Sequence, residues 1–495
     1  MPVDLFDHPS GSTSPSLPRA LDVLRRDINS ALIGRVVGVV LSAVAGLGLV
    51  MTPSATQAAT MTVTTLVDGT GPCDAHCTLR EAVSAAGQNG VVNFAPGLAG
   101  TITLNSAIQM LSSVAINGPG ASVITLDGNT DPGDAQGETR IFFIAGTAAA
   151  VTITGLTLQN GFSAQNGGAI QALGADTHLT LDRVVLRNSH AELDGGGVYS
   201  VGKLTLIDCT FNNNTAAGDG GGIYAGDGGG LFTLNLEATR ISISSNTAAG
   251  GGGAYLAGNA SLTSSTISGN AASYGGGFYL HGVATVTHST ISDNSTSGAG
   301  GGFYGYEADV TLTNSTVSDN ATQGRGGGIG MFGDAVLINS TISNNSAEEG
   351  GGVHLVGDAV TTNNGFLNLR NSVVANNAAA SPGQWDEFRA NGAAASYSLI
   401  YGGSQPSFTN GTFGNLIFVD PMLGPLQDNG GPTLTRALSS GSPAIDVGQN
   451  STCAATDQRG VARPVDGDGN GSKICDMGAV ERVIDPVFSN GFEST

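Results

Sequence analysis

The chain reads as an all-β parallel β-helix, a solenoid of about 25 residues per coil. Three observations predict this. Glycine triplets begin at Gly195, Gly220, Gly251, Gly275, Gly300, Gly326 and Gly350, spaced by 24 to 31 residues. An asparagine column keeps step with them: Asn214, Asn246, Asn270, Asn294, Asn320, Asn345 and Asn377. Within the repeats, apolar residues stand five apart, as in Leu206 and Phe211, Leu262 and Ile267, Val286 and Ile291, Leu312 and Val317, and Leu337 and Ile342. Strand alternation has period two, so an odd step points such a pair to opposite faces of a straight strand. Both face one core only if the chain turns a corner between them. Short strands and corners repeating every coil describe a solenoid.

Composition agrees. Glycine makes up 77 of 495 residues, roughly twice its usual ~7% share. Hydrophobic residues reach 40%, enough for a large core, while only 12% are charged. The formal charge of −21 excludes nucleic acid as a partner, because that affinity needs basic side chains.

Taken in order, residues 1–58 have the layout of a secretory signal with a long leading region. Arg19, Arg25, Arg26 and Arg35 precede an uncharged run from Val36 to Met51, followed by small residues up to Ala58 and Ala59. The run has 16 residues, short of the ~20 that span a bilayer. A signal-anchor helix is the alternative. Export places the cysteines in an oxidising compartment, where Cys73 with Cys77 and Cys453 with Cys475 read as two local disulfides. A metal site is the rival reading. Cys209 takes the column of Ser265, Ser289, Ser315 and Ser340 and reads as a buried free thiol, with a reactive thiol as the alternative.

Residues 59–90 are expected to cap the first coil. In "CTLREAVSAAGQ", Thr78 and Glu81 form a capping box, and Leu79 and Val83 are neighbours on one helix face. Coils follow over 91–415, residues 416–482 are expected to cap the far end, and 483–495 form a tail. Stacked coils bring equivalent residues ~4.8 Å apart, so the asparagines can bond to one another as a ladder. Gly300, Gly302 and Gly305 fit a dinucleotide-loop spacing, but the motif recurs with the repeat and no helical pattern follows it. The glycines therefore read as scaffold.

Several stretches resemble known families. "TVTTLVDG" followed by "CTLREAV" resembles the CSLREA domain of secreted bacterial proteins. "FNNN" and "GGAI" resemble the repeats of polymorphic outer-membrane proteins. "DPMLGPLQDNGGPTLTRALSSGSPAIDVG", "TDQRGVARP" and "CDMGAVE" resemble a choice-of-anchor Q domain. The resemblance implies a right-handed parallel β-helix, secreted or held at the cell surface after crossing the inner membrane, with outer-membrane association open. It implies no reaction. Polymorphic membrane proteins end in a membrane β-barrel, whereas "RVIDPVFSNGFEST" after Glu481 is too short for one. "VFSNGFE" resembles a terminal tag of exported proteins and reads as a sorting signal.

The functional expectation is a monomeric, non-catalytic adhesin-like or glycan-binding module whose partners are surface glycans or neighbouring cells. Membrane contact is expected only through signal or anchor. A polysaccharide lyase or hydrolase and a structural envelope spacer are the alternatives. No catalytic residue stands out. If Val198, Ile223, Ala254, Phe278 and Phe303 face the core, alternation sends Tyr199, Tyr224, Tyr255, Tyr279 and Tyr304 outward as an exposed stripe that sugar rings can stack on. Mutual stacking of the tyrosines is the plainer reading. No cofactor is required. Asp466, Asp468 and Asn470 take positions 1, 3 and 5 of an EF-hand-type loop for calcium, with Asp476 as a further ligand. A solvated turn pinned by Cys453–Cys475 is the alternative.

Overall fold

The computed structural model describes residues 58–129, 139–146, 149–226, 234–357, 365–381 and 386–484. Residues 1–57 of the leader and 485–495 of the tail lie outside that set. The described chain winds as a parallel β-helix. A 13-stranded sheet takes one short strand from each coil, from Gly100–Thr103 to Leu416–Ile417. A 22-stranded sheet forms the opposite wall, and two-residue strands build a third column. Registers align the repeat columns: Val198 pairs with Ile223, Ile223 with Ala254, Ala254 with Phe278 and Phe278 with Phe303.

Three left-handed positions recur in each of the coils that carry a glycine triplet. In one coil these are Asp208 (φ 53°), Asn213 (φ 55°) and Gly220 (φ 71°). The first corner lies between Leu206 and Phe211, and both side chains are fully buried. The odd step of five is thus absorbed by one backbone inversion. Asparagine and aspartate tolerate this conformation better than other non-glycine residues, which suits them to the corners. The glycine triplet has two separate needs. Gly300 has φ 71°, and a Cβ on Gly301 would lie 2.3 Å from the Gly327 carbonyl of the next coil. Their amides are consumed there too: Gly300, Gly301 and Gly302 donate to Arg325, Gly326 and Gly327 carbonyls. No N–H group of the triplet is left to cradle a phosphate.

The first coil is closed by the helix Leu79–Ala86. Thr78 Oγ1 accepts the Glu81 amide at 3.2 Å, and Glu81 Oε2 accepts the Thr78 amide at 2.9 Å. Leu79, Ala82, Val83 and Ala86 are buried on the core end. Arg80 ties the helix to Asp68 and to the Ser106 and Ala107 carbonyls.

The far end departs from expectation. Leu416–Ile417 is still a rung of the 13-stranded sheet, pairing with Leu399 and Ile400. The loop after Gly402 closes the last coil, with Phe408 packed on the core. The expected end cap is residues 416–482; from 423 onward, to 484, the chain instead runs along the flank as a strap over the 13-stranded sheet. Gln458 Nε2 donates to Ser289 O at 3.1 Å, Thr433 Oγ1 to His288 O at 3.2 Å, and Ala479 N to Thr341 Oγ1 at 3.0 Å. The reason is apolar cover. Val373, Ala375 and Leu399 point outward from the sheet, and Leu438, Ala444, Ile445 and Met477 bury them in a second small core.

Candidate functional site

The asparagine column lies inside the coil corners. Asn214 Nδ2 donates to Asn246 Oδ1 at 3.0 Å and to Leu186 O at 3.2 Å. The same two bonds repeat at Asn246, Asn270, Asn294, Asn320 and Asn345. Each Oδ1 also accepts the backbone amide of the preceding asparagine, as Asn246 Oδ1 does from Asn214 N at 2.9 Å. These buried amides are fully engaged. At the end of the series Asn377 Nδ2 donates to Glu387 Oε2 at 2.6 Å. Glu387 is 1% exposed, and burial pushes its carboxyl up to about 8 against the opposing Asn377 hydrogen bonds. A serine ladder runs beside it, with Ser265, Ser289, Ser315 and Ser340 each donating its amide to the next hydroxyl. Cys209 sits in that column, buried and free, donating Sγ to Leu181 O at 3.3 Å. Burial pushes its thiol up to about 11, which keeps it protonated and unreactive.

Tyr199, Tyr224, Tyr255, Tyr279 and Tyr304 point away from the core; the first four stack face to face, and Tyr304 meets Tyr279 edge-on. Successive ring centroids are 4.8, 4.9, 4.7 and 4.9 Å apart. They do not form the exposed stripe that alternation suggests. Tyr199, Tyr224 and Tyr304 are 7–9% exposed, and Tyr255 and Tyr279 are half-buried. The coil spacing is close to the separation of stacked rings, so the first four rings cover one another's faces. Burial pushes the hydroxyls of Tyr255 and Tyr304 up to about 12, and those of Tyr224 and Tyr279 higher still.

Open aromatic surface lies instead on the flanks of the stack. Tyr274 is 36% exposed, with its ring 5.3 Å from Tyr304. Tyr306 is 43% exposed and lies 5.9 Å from His281 and 6.0 Å from Phe332. Glu307 adds a carboxylate 3.3 Å from His281 Nε2. With Tyr279 and Tyr304 these side chains make one aromatic cluster across neighbouring coils. Tyr306 carried a sequence signal that went unused: it stands two residues after Tyr304 and so shares its face.

Beyond Tyr304 the column continues as Gly330, His354 and Arg389. Glu349 is buried there between Arg325, 3.1 Å away, and Arg389, with His354 at 3.7 Å. Burial and the charge of Arg325 pull His354 down to about 3, so its imidazole is neutral. The sequence did not single out this group, since its members lie in different repeats.

In the strap, Asp466 and Asp468 converge with Asp446 rather than with Asp476. Asp476 turns away, accepting the amides of Asp446 and Arg482. Asn470 Nδ2 donates to Asp468 at 2.8 Å, and its Oδ1 accepts Ser472 N at 2.8 Å. Asp466 caps Gly469 and Gly471, and Asp446 caps Gly467 and Asp468. The loop thus satisfies its own carboxylates through backbone amides, and none of their oxygens is a buried orphan. The three carboxylates still bring one oxygen each within 4.8 Å of one another, an arrangement in which Asp446 takes the place expected of Asp476. Disulfides join Cys73 to Cys77 and Cys453 to Cys475, so the latter sulfurs offer nothing to a metal despite lying near Glu481.

Residues 233–413 match the family described as a right handed beta helix region. Residues 208–226 match the Chlamydia polymorphic membrane protein repeat. That segment holds Asn214, the triplet from Gly220 and Tyr224. A solved structure of pectate lyase Pel9A is similar at TM-score 0.44 and 13% identity, over 86% of this chain and 96% of that one. No curated protein matches the chain. The fold is therefore a right-handed parallel β-helix that carries a polymorphic-membrane-protein-type repeat.

Proposed function

We propose that this is an exported cell-surface protein that binds glycans through the aromatic cluster around Tyr304 without cleaving them. The observation that carries the reading is the pair of open rings beside the tyrosine column, Tyr274 packed on Tyr304 and Tyr306 packed on His281 and Phe332. Sugar rings present apolar C–H faces to aromatic rings, and Glu307 adds an acceptor for hydroxyls. An exposed aromatic surface on a rigid wall suits weak contacts repeated along a polymer.

Surface location is supported by the repeat match, whose name refers to membrane proteins, and by the resemblance of the two ends to CSLREA and choice-of-anchor Q domains. No helix among the described residues is long and apolar enough to cross a membrane.

The test is a glycan array and a cell-adherence assay with the double substitution Tyr274→Ser and Tyr306→Ser. Both side chains are open, so the variant is expected to melt as the parent does while losing binding. Undiminished binding by that folded variant would remove the cluster as the site.

A further inference from the structure

We propose that a second, separate pocket at the C-terminal end of the β-helix binds a carboxylated sugar ring, with Arg370 taking the carboxylate and Phe413 the ring face. The strand Gly392–Ser396 pairs on one side with Phe366–Arg370, and the loop before Asn415 folds over its other side. Asn415 Nδ2 donates to Ala395 O at 2.8 Å, and Tyr397 N donates to Phe413 O at 2.9 Å. Between strand and loop lies a cavity of about 590 Å³, within the ~300–1,000 Å³ range of small-ligand sites.

Three features of this cavity point to the ligand. The first is its charge. The chain carries 39 acidic residues against 18 lysines and arginines, yet no aspartate or glutamate lines this pocket. Among the described residues, Arg370 is the one arginine whose guanidinium makes no hydrogen bond or ion pair. A guanidinium offers five donors in a planar fork that matches a carboxylate.

The second is Phe413. It is 75% exposed and holds φ 52°, a left-handed backbone that gains it no burial. Packing therefore does not account for it, and strain of this kind collects at ligand clamps. Gly411 (φ 78°) and Gly414 (φ 74°) flank it, and the Gly411 amide donates to Asn415 O at 2.8 Å. The ring is thus presented on a closed turn.

The third is the rest of the lining. Asn368, Ser396, Thr409 and Thr412, residues with amide and hydroxyl groups, line the cavity beside Phe408 and Phe413. That mixture suits a polyhydroxylated ring better than an apolar acid.

The test titrates the full chain with glucuronate and, as the neutral counterpart, glucose, followed by ligand-observed NMR. Glucuronate is expected to bind and glucose to bind far more weakly. Arg370→Gln should weaken glucuronate on the order of tenfold or more. Phe413→Ala should weaken it too, and both variants are compared at a temperature where they stay folded. The titrations are run in a Tyr274→Ser, Tyr306→Ser background, which removes the aromatic cluster as a sugar site, and there the preference for glucuronate over glucose should persist and depend on Arg370. The proposal is overturned in that background by no glucuronate binding, by equal binding of glucose, or by an Arg370→Gln variant that binds as the background does.

Discussion

The tripeptide Thr-Ile-Ser occurs at 266–268, 290–292 and 341–343, each time as a strand of the 13-stranded sheet. In all three the isoleucine is buried in the core. The outward pair differs. Thr266 and Ser268 are half-buried, whereas Thr290, Ser292, Thr341 and Ser343 are covered by the strap. Thr290 Oγ1 donates to Leu434 O at 2.5 Å, and Thr341 Oγ1 accepts Ala479 N at 3.0 Å. One sequence thus makes a bare flank and a clad flank in a single sheet. The inward residue decides that the strand forms; a segment more than 130 residues away decides what covers it.

The largest expected effect comes from detaching the strap. Arg463 Nη1 and Glu481 Oε1 lie 2.7 Å apart with both side chains fully buried. Glu481→Ala leaves the guanidinium buried without its partner and should cost about 3–5 kcal/mol. Hydrogen exchange should then rise in strands 290–292, 316–318 and 341–343 while 210–212 and 242–244 keep their protection. Equal loss on both flanks would show that the strap supports the whole solenoid rather than its clad half.

The ladder offers the opposite control, because it passes inside both flanks. Asn270→Ala under the bare flank and Asn294→Ala under the clad one each strand a buried backbone amide and a side-chain amide, and each should cost about 2–4 kcal/mol. Urea unfolding should give matching losses; a large difference would mean that the strap also bears on the interior.

Smaller still is the outward hydroxyl itself. Thr316 Oγ1 donates to Gln458 Oε1 at 2.7 Å under the strap. Thr316→Ala should cost about 1 kcal/mol, while Thr266→Ala on the bare flank should fall within about 0.5 kcal/mol of zero. Paired melting curves would measure the difference.

Proton linkage separates interior from flank in another way. Glu387 at the ladder's end is raised from 4.5 to about 8 by burial, and Asp476 in the strap from 3.8 to about 7. Both groups hold protons in the folded chain that they release when unfolded. Their contribution to stability should therefore fall as pH rises from about 4 through 8, while buried His354, lowered from 6.5 to about 3, contributes the opposite slope below about 6.5, so the net fall should be steepest above that pH. Glu387→Gln keeps an acceptor for Asn377 and should flatten the upper part of that slope; a variant with the parent's full slope would place the titration elsewhere. The smallest expected effect is that of calcium. Asp446, Asp466 and Asp468 are already capped by amides, so added calcium should leave the melting temperature unchanged, and a rise of several degrees would assign them an ion.

The coil was legible because its rules are local. Period-two alternation, left-handed corners and a repeat near 25 residues place Leu206, Phe211, Val198 and Asn214 without knowledge of any distant contact. The capping box at Thr78 and Glu81 is local for the same reason. The site was less legible. Alternation rightly sent the tyrosines outward, but outward is not exposed when rings stack at the coil spacing. Tyr274 and Tyr306 matter because of which faces the stack leaves open.

By itself, then, the sequence determined which residues turn inward, where each corner falls and which columns align, since backbone sterics and hydrophobic periodicity act over a few residues at a time. Tertiary structure alone decided that residues 423–484 lie along the flank, that Asp446 rather than Asp476 joins Asp466 and Asp468, and that Arg370 is left without an acid. Those outcomes depend on which surfaces meet across long chain separations, where burial of apolar area and the pairing of charges compete among many partners and no local pattern ranks them.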